Sequence, residues 1–564
     1  MTRRSHAAAV SRVRREAGAA SALLGSLLAL GLASQPARAQ EQAQQPPPGL
    51  PQGPVVTPPA GPVQGLNNNG VYEYLGIPYA QPPVGALRWQ PPQPHAPWTQ
   101  TLNATQFGPT CAQITTLGVF AGPANANEDC LYLNVFTPKV DAPGTLPVLV
   151  WIHGGGNVDG ESNDYDGSKL ASQGQTVVVT LNYRLGLLGW FANPALDSEG
   201  HPFGNYGLLD QQLVLKWVQD NIASFGGDPT RVALGGQSAG SVDTSANVVS
   251  PLAAGLFNRA IFESALADTT PLASAEQRGT AFSVAAGCGS GADSTVSACL
   301  RSLPAQTIMN LQGTASANGP YVTNIIADGT ILPTQGVFDA LRSGTFTHMP
   351  IMSGWVHDEE NFSLAIQEYF SGPPQVPISE ADLTTYVQTT FGANAAKVLA
   401  VYNASSYATP QLALDEIGTA AVACPQYSIN QALSTQVPVY AYEFDDQTAP
   451  FYFPALPGFQ SLAYHTSDIQ YLFPLWHGSP EGIPHPLNAQ QEQLSDELVA
   501  FWTNFARTGN PNRADNRPWP RYDANQFWSS YYLSENIPTV SLLRDKQVSA
   551  EHKCGFWESL QQQS

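Results

Sequence analysis

The sequence predicts an α/β protein with a large, mostly parallel central sheet and helices on both faces. Two continuous apolar runs, at residues 146–152 and 176–181, are typical of strands buried on both faces, because a half-exposed strand would alternate apolar and polar residues. Helix-forming stretches, such as residues 206–225, alternate with these runs over short links. This alternation of strand and helix is the pattern of a parallel sheet.

The elements that follow along the chain continue the alternation. Residues 231–234 are predicted to form a short strand, residues 241–249 a helix, and residues 260–262 the beginning of the next strand. We find no internal repeat and no second linker within residues 63–560. These residues are therefore predicted to form a single domain.

The composition excludes several classes of protein. Of the 564 residues, 43% are hydrophobic and 10% aromatic, which is enough for a large core and excludes a disordered or fibrous chain. Only 12% are charged, while 49 glycines and 47 prolines indicate a loop-rich protein of extracellular type. The net charge of −20 would repel nucleic-acid phosphates and anionic lipid, so we expect no nucleic-acid partner.

The N-terminus has the pattern of an export signal over residues 1–39. Five arginines near the start precede an apolar stretch at residues 19–33, and an Ala-Arg-Ala pattern predicts cleavage after Ala39. The apolar stretch is short for a membrane span, and a core helix or N-terminal anchor is the alternative. We therefore expect a secreted or periplasmic protein without stable membrane insertion, exported by either the general or the twin-arginine route. Residues 40–62, rich in glutamine and proline, are predicted to be a disordered N-terminal segment.

A G-x-S-x-G motif places Ser238 between a predicted strand and a predicted helix. The flanking Gly236 and Gly240 allow the backbone to turn sharply, so that the serine hydroxyl is presented at the tip of the turn. The motif alone recurs by chance, but its strand–turn–helix context is specific. This context indicates a nucleophilic serine.

A second glycine run, Gly154–Gly156, directly follows the apolar run at residues 146–152. Glycines at the end of a strand let backbone N–H groups approach a ligand closely. Together with the N–H of Ala239, such groups can stabilise the oxyanion of a tetrahedral acyl intermediate. An ordinary glycine-rich turn is the alternative, but the serine motif in the same chain favours an oxyanion hole.

A nucleophilic serine needs a histidine base and an acid that orients the base. His465 lies just before an apolar helical run. Asp358, Glu359 and Glu360 follow a strand-like segment and are the candidates for the acid. The residues alone do not choose among these three carboxylates, since a run of carboxylates is usually a solvated loop.

The chain resembles the type-B carboxylesterase/lipase family, which includes the cholinesterases, over most of residues 63–560. Three blocks carry the resemblance: the serine block at residues 225–240, Glu-Asp-Cys-Leu-Tyr-Leu-Asn-Val at residues 128–135, and the segment at residues 75–89. The resemblance implies an α/β-hydrolase fold with long loop insertions. It also implies a serine carboxylic ester hydrolase that uses no metal and no organic cofactor.

The resemblance assigns roles to single residues. It implies a catalytic triad of Ser238, Glu359 and His465, and Gln237 replaces the glutamate that usually precedes the serine. It implies backbone donors to the oxyanion at Gly155, Gly156 and Ala239. Substrate contacts are implied at four further positions, namely Phe120, Gly319, Tyr321 and Phe362.

Six cysteines follow the export signal, which favours disulfides over metal ligation because no Cys-x-x-Cys or histidine-rich spacing is present. Six cysteines allow 15 connectivities, and the sequence alone does not choose among them. The resemblance to the cholinesterases implies the pairs Cys111–Cys130, Cys288–Cys299 and Cys424–Cys554.

The predicted substrate is a small-molecule ester with a medium to bulky or aromatic apolar group. In cholinesterase-like proteins a tryptophan meets the quaternary ammonium, whereas Phe120 takes that place here and is a weaker cation–π partner. Core packing is the alternative role for these aromatic residues. Alternative functions are a lipase, a feruloyl- or polyester-type hydrolase, and a non-catalytic binding protein, against which the complete triad argues. The sequence does not set an oligomeric state.

Overall fold

The computed structural model describes residues 49–114, 122–312, 324–476, 482–514, 517–526 and 530–561. The predicted export signal at residues 1–39 lies outside these residues and stays a prediction. Among the described residues, no helix combines the length and the hydrophobicity that a membrane crossing would need.

The strands are, in chain order, β1 (Gln52–Val56), β2 (Val63–Asn68), β3 (Val71–Pro78), β4 (Leu102–Asn103), β5 (Tyr132–Thr137), β6 (Leu146–Ile152), β7 (Val177–Leu181), β8 (Trp190–Phe191), β9 (Gly204–Asn205), β10 (Gly227–Gln237), β11 (Arg259–Glu263), β12 (Thr270–Pro271), β13 (Ile326–Ala327), β14 (Ile351–Val356), β15 (Val439–Phe444), β16 (Tyr531–Glu535) and β17 (Ser541–Arg544).

The α-helices are α1 (Ser168–Ser172), α2 (Gly186–Gly189), α3 (Pro194–Asp197), α4 (Tyr206–Asn221), α5 (Ala239–Val249), α6 (Leu272–Ala285), α7 (Ser294–Ser302), α8 (Ala305–Gln312), α9 (Val337–Ser343), α10 (Asn361–Phe370), α11 (Glu380–Phe391), α12 (Ala395–Val401), α13 (Pro410–Ser434), α14 (Ile469–Leu472), α15 (Ala489–Thr508), α16 (Asp545–Glu551) and α17 (Cys554–Gln561).

Within the described residues, one sheet of thirteen strands dominates the fold, in the order β1-β2-β3-β5-β7-β6-β10-β11-β14-β15-β16-β17 with β4 beside β2. The strands from β7 to β16 in this order pair in parallel. The outer strands β1, β2, β3 and β5 pair antiparallel, as does β17. The predicted fold class, a mostly parallel sheet in an α/β protein, is confirmed.

Both faces of the sheet are buried, as the continuous apolar runs predicted. Along β6, Val148 and Val150 pack in one core cluster, which includes Leu208 of α4. Leu149, whose side chain points to the opposite face, packs in a second cluster, which includes Leu498 of α15. Because helices cover both faces, every residue of β6 is buried.

The structure differs from the predicted elements mainly at their ends. The predicted helix at residues 206–225 is α-helical to Asn221 and ends in a short 3₁₀ turn. Gly226, with φ of +90°, terminates that turn in the left-handed region that favours glycine. Strand β10 then begins at Gly227, four residues before the predicted strand at 231–234.

The sheet also extends into the segment that the composition assigned to disorder. Residues 40–62 were predicted to lie outside the fold, but Gln52–Val56 forms the edge strand β1, with Val56 paired to Val63. The prediction is therefore wrong for this stretch. Proline is tolerated in an edge strand because its missing N–H is not needed on the open side, and the carbonyl oxygen of Pro54 accepts a hydrogen bond from the Tyr74 hydroxyl at 2.9 Å.

Three disulfides join the six cysteines: Cys111–Cys130, Cys288–Cys299 and Cys424–Cys554. These are the pairs that the family resemblance implies. The third links α13 to the first residue of α17, which fastens the C-terminal helix to the body of the protein.

Candidate active site

Ser238 stands at a strained turn between β10 and α5. Its φ is +58° and its ψ −125°, an uncommon conformation for a residue with a side chain.

The two glycines of the motif, Gly236 and Gly240, are required by close backbone contacts. A Cβ at Gly240 would lie 2.0 Å from the carbonyl oxygen of Ile152, and one at Gly236 would lie 2.6 Å from the backbone of Gly240.

Glu359 and His465 form a buried pair beside this turn. Oε2 of Glu359 is hydrogen-bonded to Nδ1 of His465, and Oε1 of Glu359 accepts the N–H of Val356 at 3.0 Å. Because Nδ1 of His465 is bonded to Glu359, Nε2 is the ring nitrogen that can act on Ser238. That nitrogen lies 3.2 Å from Nε2 of the Gln237 side chain, and Gln237 is the residue immediately before Ser238.

The other two candidate carboxylates point elsewhere. Oδ2 of Asp358 accepts the N–H of Ala463 at 3.1 Å, which ties the turn that carries the acid to the loop that carries the histidine. Glu360 packs against Gly418, where a Cβ would lie 2.4 Å from its side chain. Burial raises the pKa of Glu360 to about 7. Of the three adjacent carboxylates, Glu359 is therefore the one that contacts His465.

The charge around His465 favours its protonated form. Burial, the largest influence, opposes a positive charge on the ring, but the neighbouring carboxylates, Glu359 above all, together raise the pKa of His465 above its ordinary value of 6.5. Asp468 and Glu360 act in the same direction more weakly. The pair is thus arranged to hold an imidazolium once a proton has been taken up.

The glycine run after β6 lies against Ser238. A Cβ at Gly154 would lie 3.1 Å from the Cβ of Ser238, so the loop backbone and the serine are in direct contact. Gly155 has φ of +105°, and a Cβ there would lie 2.0 Å from the carbonyl oxygen of Asp159. Ala239 is the first residue of α5, and the first N–H groups of a helix have no partner within it. Gly154 thus brings the glycine run to Ser238, and the oxyanion role of Gly155, Gly156 and Ala239 stays a prediction.

The predicted substrate contacts are only partly described. Phe362 is buried beside His465, with 5.7 Å between the two ring centres, and its ring centre is 6.2 Å from that of Phe453. Phe120, Gly319 and Tyr321 lie outside the described residues, so their roles stay predictions.

The sequence analysis missed a group of buried carboxylates behind the pair. Glu263 ends β11, its carbonyl oxygen accepts the N–H of Ser238 at 2.9 Å, and Glu535 ends β16. Burial raises the pKa of Glu263 and Glu535 well above their ordinary values and that of Asp468 to about 6. Burial therefore favours the neutral form of both Glu263 and Glu535. The sequence signal that could have identified these residues is a carboxylate at the end of an apolar strand.

The chain as a whole is similar to several known proteins. A family model described as the carboxylesterase family matches residues 52–557. Carboxylesterase 1E of Mus musculus is 31% identical over 525 residues, which cover 86% of this chain and 89% of that protein. The liver carboxylesterase of Sus scrofa is 32% identical, with 86% of this chain and 88% of that protein covered.

Two further similarities extend the comparison. The medium-chain fatty acyl-CoA hydrolase precursor of Anas platyrhynchos is 33% identical, with 87% of this chain and 88% of that protein covered. The solved structure of a thermophilic PNB esterase superimposes with a TM-score of 0.73 at 30% identity. That match covers 89% of this chain and 99% of the esterase.

Proposed function

Because this chain belongs to the carboxylesterase family and is a carboxylic ester hydrolase, we propose that it works through a triad of Ser238, Glu359 and His465 and a covalent acyl-enzyme. We propose further that it is exported and prefers medium to bulky or aromatic apolar esters. The observation that supports the triad is the buried Glu359–His465 pair, whose Nε2 contacts the side chain of Gln237, the residue immediately before Ser238.

Acylation begins when neutral His465 accepts the proton of the Ser238 hydroxyl through Nε2 while Oγ attacks the ester carbonyl carbon. Glu359 holds the Nδ1–H tautomer and stabilises the imidazolium that forms. The carbonyl oxygen becomes an oxyanion, which the N–H groups of Gly155, Gly156 and Ala239 stabilise. Deleting one donor from such a hole typically costs about 3–4 kcal/mol.

Acylation ends when His465 gives its proton to the departing alkoxide, which leaves as the alcohol. Deacylation then repeats these steps with water. The same nitrogen then takes a proton from water as the hydroxide oxygen attacks the acyl carbon, and returns that proton to Ser238 Oγ as the carboxylic acid departs. The net reaction consumes one ester and one water and yields one acid and one alcohol.

The aromatic wall beside His465 supports an apolar substrate. Phe362 and Phe453 are both buried, and the Phe362 ring adjoins the His465 ring. Aromatic faces bind apolar acyl or aryl groups by burial of surface. Similarity to the medium-chain fatty acyl-CoA hydrolase precursor of Anas platyrhynchos also favours acyl groups of medium length.

The rate of ester hydrolysis is expected to fall in acid with an apparent pKa above 6.5. The reason is that His465 must be neutral to accept a proton, and its pKa is raised in the folded protein, so the active form is lost as the pH drops through that raised value. A profile of kcat/KM against pH measures the acid limb. In Glu359→Gln the acid limb of the residual activity should move to lower pH, because the largest influence that raises the pKa is removed. An acid limb at or below 6.5 in the unaltered enzyme would contradict the assignment.

The substrate class is tested with a series of p-nitrophenyl esters from acetate to palmitate, an aromatic diester and a choline ester. We expect kcat/KM to be highest for butyrate to octanoate or for the aromatic ester, and lowest for the choline ester. Ser238→Ala serves as the blank for each substrate. A preference for emulsified long-chain esters would favour the lipase alternative, and hydrolysis of none of them would overturn the proposal.

A further inference from the structure

A cluster of metal-ligating side chains lies at the carboxyl ends of β14 and β15, outside the proposed triad. His357 directly follows β14, Glu443 lies in β15, and Glu551 ends α16. One ligand atom from each of these residues lies within 4.8 Å of the other two. The sequence analysis predicted no metal site, because these residues are far apart in the chain and share no local motif.

His357 is oriented as a metal-binding histidine would be. Its Nδ1 lies 3.1 Å from Oδ2 of Asp358, and a carboxylate on one ring nitrogen typically fixes the other nitrogen as the ligand. Its Nε2 lies 3.3 Å from Oε1 of Glu551. Bonds of 2.0–2.2 Å to a tetrahedral zinc ion place two ligand atoms about 3.4 Å apart, so this pair already has the required separation.

Glu443 is fully buried, and among the described residues only one of its two carboxylate oxygens has hydrogen-bond partners. Its Oε2 accepts a hydrogen bond from Nε1 of Trp355 at 3.0 Å and is bonded to Nε2 of His552 at 2.6 Å. Its Oε1 has no hydrogen-bond partner among the described residues. A buried carboxylate oxygen without a partner is costly, and a cation would satisfy it.

We propose that His357, Glu443 and Glu551 bind a divalent cation of the zinc class. One imidazole nitrogen and two carboxylate oxygens form a ligand set that suits Zn²⁺, whereas Ca²⁺ takes six to eight oxygen ligands. None of the three ligands is a residue of the proposed triad.

The ion would connect the sheet to the C-terminal region. The side chain of Glu551 is 48% exposed at the end of α16, and the Cys424–Cys554 disulfide lies three residues further on. His357 is also two residues before Glu359, in the same turn. A bound ion would therefore restrain both α16 and the turn that carries the proposed triad acid.

The test uses the full exported protein, free of any affinity tag and stripped with EDTA. Titration calorimetry with ZnCl₂ should give one ion per chain, and the melting temperature should rise with Zn²⁺ but not with Ca²⁺. Glu551→Gln should weaken binding by at least about tenfold, as expected for the loss of a ligand. Because Glu551 is at the surface, this variant should fold normally.

Glu558→Gln is the matched control, since Glu558 is exposed on α17 and belongs to no such cluster. It should bind Zn²⁺ as the unaltered protein does. Equal binding by the unaltered protein and Glu551→Gln would overturn the proposal, as would the absence of saturable binding. The cluster would then be an ion-pair network centred on His357.

Discussion

Replacing Ser238 with alanine is expected to lower kcat/KM for a chromogenic ester by about 10⁴–10⁶-fold, because only the oxyanion hole and substrate binding would remain. The fold should persist. Alanine tolerates φ of +58° no worse than serine does, and the backbone bond from residue 238 to the Glu263 carbonyl is kept. Steady-state kinetics and thermal unfolding of both proteins check this expectation.

Ser245→Ala is the matched control, since Ser245 is also buried on α5 and its hydroxyl donates to the Val242 carbonyl at 2.7 Å. That variant should retain ester turnover. Stoichiometric labelling by an organophosphate should occur in the control and be lost in Ser238→Ala. A Ser238→Ala enzyme that kept more than about one thousandth of the activity would exclude Ser238 as the nucleophile.

Glu359→Gln is expected to reduce turnover by about 10⁴-fold, the loss typical when the orienting acid of a triad becomes an amide. Glutamine keeps an oxygen for the Val356 N–H, so the turn should remain intact. Its amide nitrogen would face Nδ1 of His465 and stabilise the wrong tautomer. The measurements are kcat from steady-state kinetics and the thermal unfolding temperature.

Glu360→Gln is the control for that change, because Glu360, the next carboxylate in the chain, packs against Gly418 and not His465. Burial raises the pKa of Glu360 to about 7, so an amide resembles a form that it already populates at neutral pH. The turnover of the Glu360→Gln variant should change little. If Glu360→Gln or Asp358→Asn proved the crippling substitution instead, the acid of the triad would be misassigned by one position.

The sequence predicted the central strands well because burial on both faces leaves a continuous apolar run, as at residues 146–152. It failed for β1, since the proline- and glutamine-rich composition of residues 40–62 has no such run. An edge strand needs only one line of backbone hydrogen bonds, and β2 supplies it. The composition of a segment does not reveal backbone pairing of this kind.

The candidate site was partly predictable for a similar reason. The turn at Ser238 and the glycine run after β6 are local features, and both could be identified in the sequence. The choice of Glu359 among three carboxylates was not local, because it depends on which oxygen the Val356 N–H fixes and where the loop of His465 lies. The family resemblance supplied that choice.

The cluster of His357, Glu443 and Glu551 had no counterpart in the sequence analysis at all. Its three side chains come from the end of β14, from β15 and from the end of α16. Only the pairing of β14 with β15 and the docking of α16 bring them together. Long-range sites of this kind become visible only when the register of the sheet is known.

The Cys424–Cys554 disulfide makes the stretch between these cysteines a closed covalent ring, and His465 is a member of that ring. A single cut by a protease anywhere in the ring opens it but releases no fragment, because each new end stays attached through the disulfide or through the main chain. The nicked protein therefore migrates as one species on a non-reducing gel and as two species after reduction. This arrangement keeps His465 covalently connected to Ser238 after a first cut.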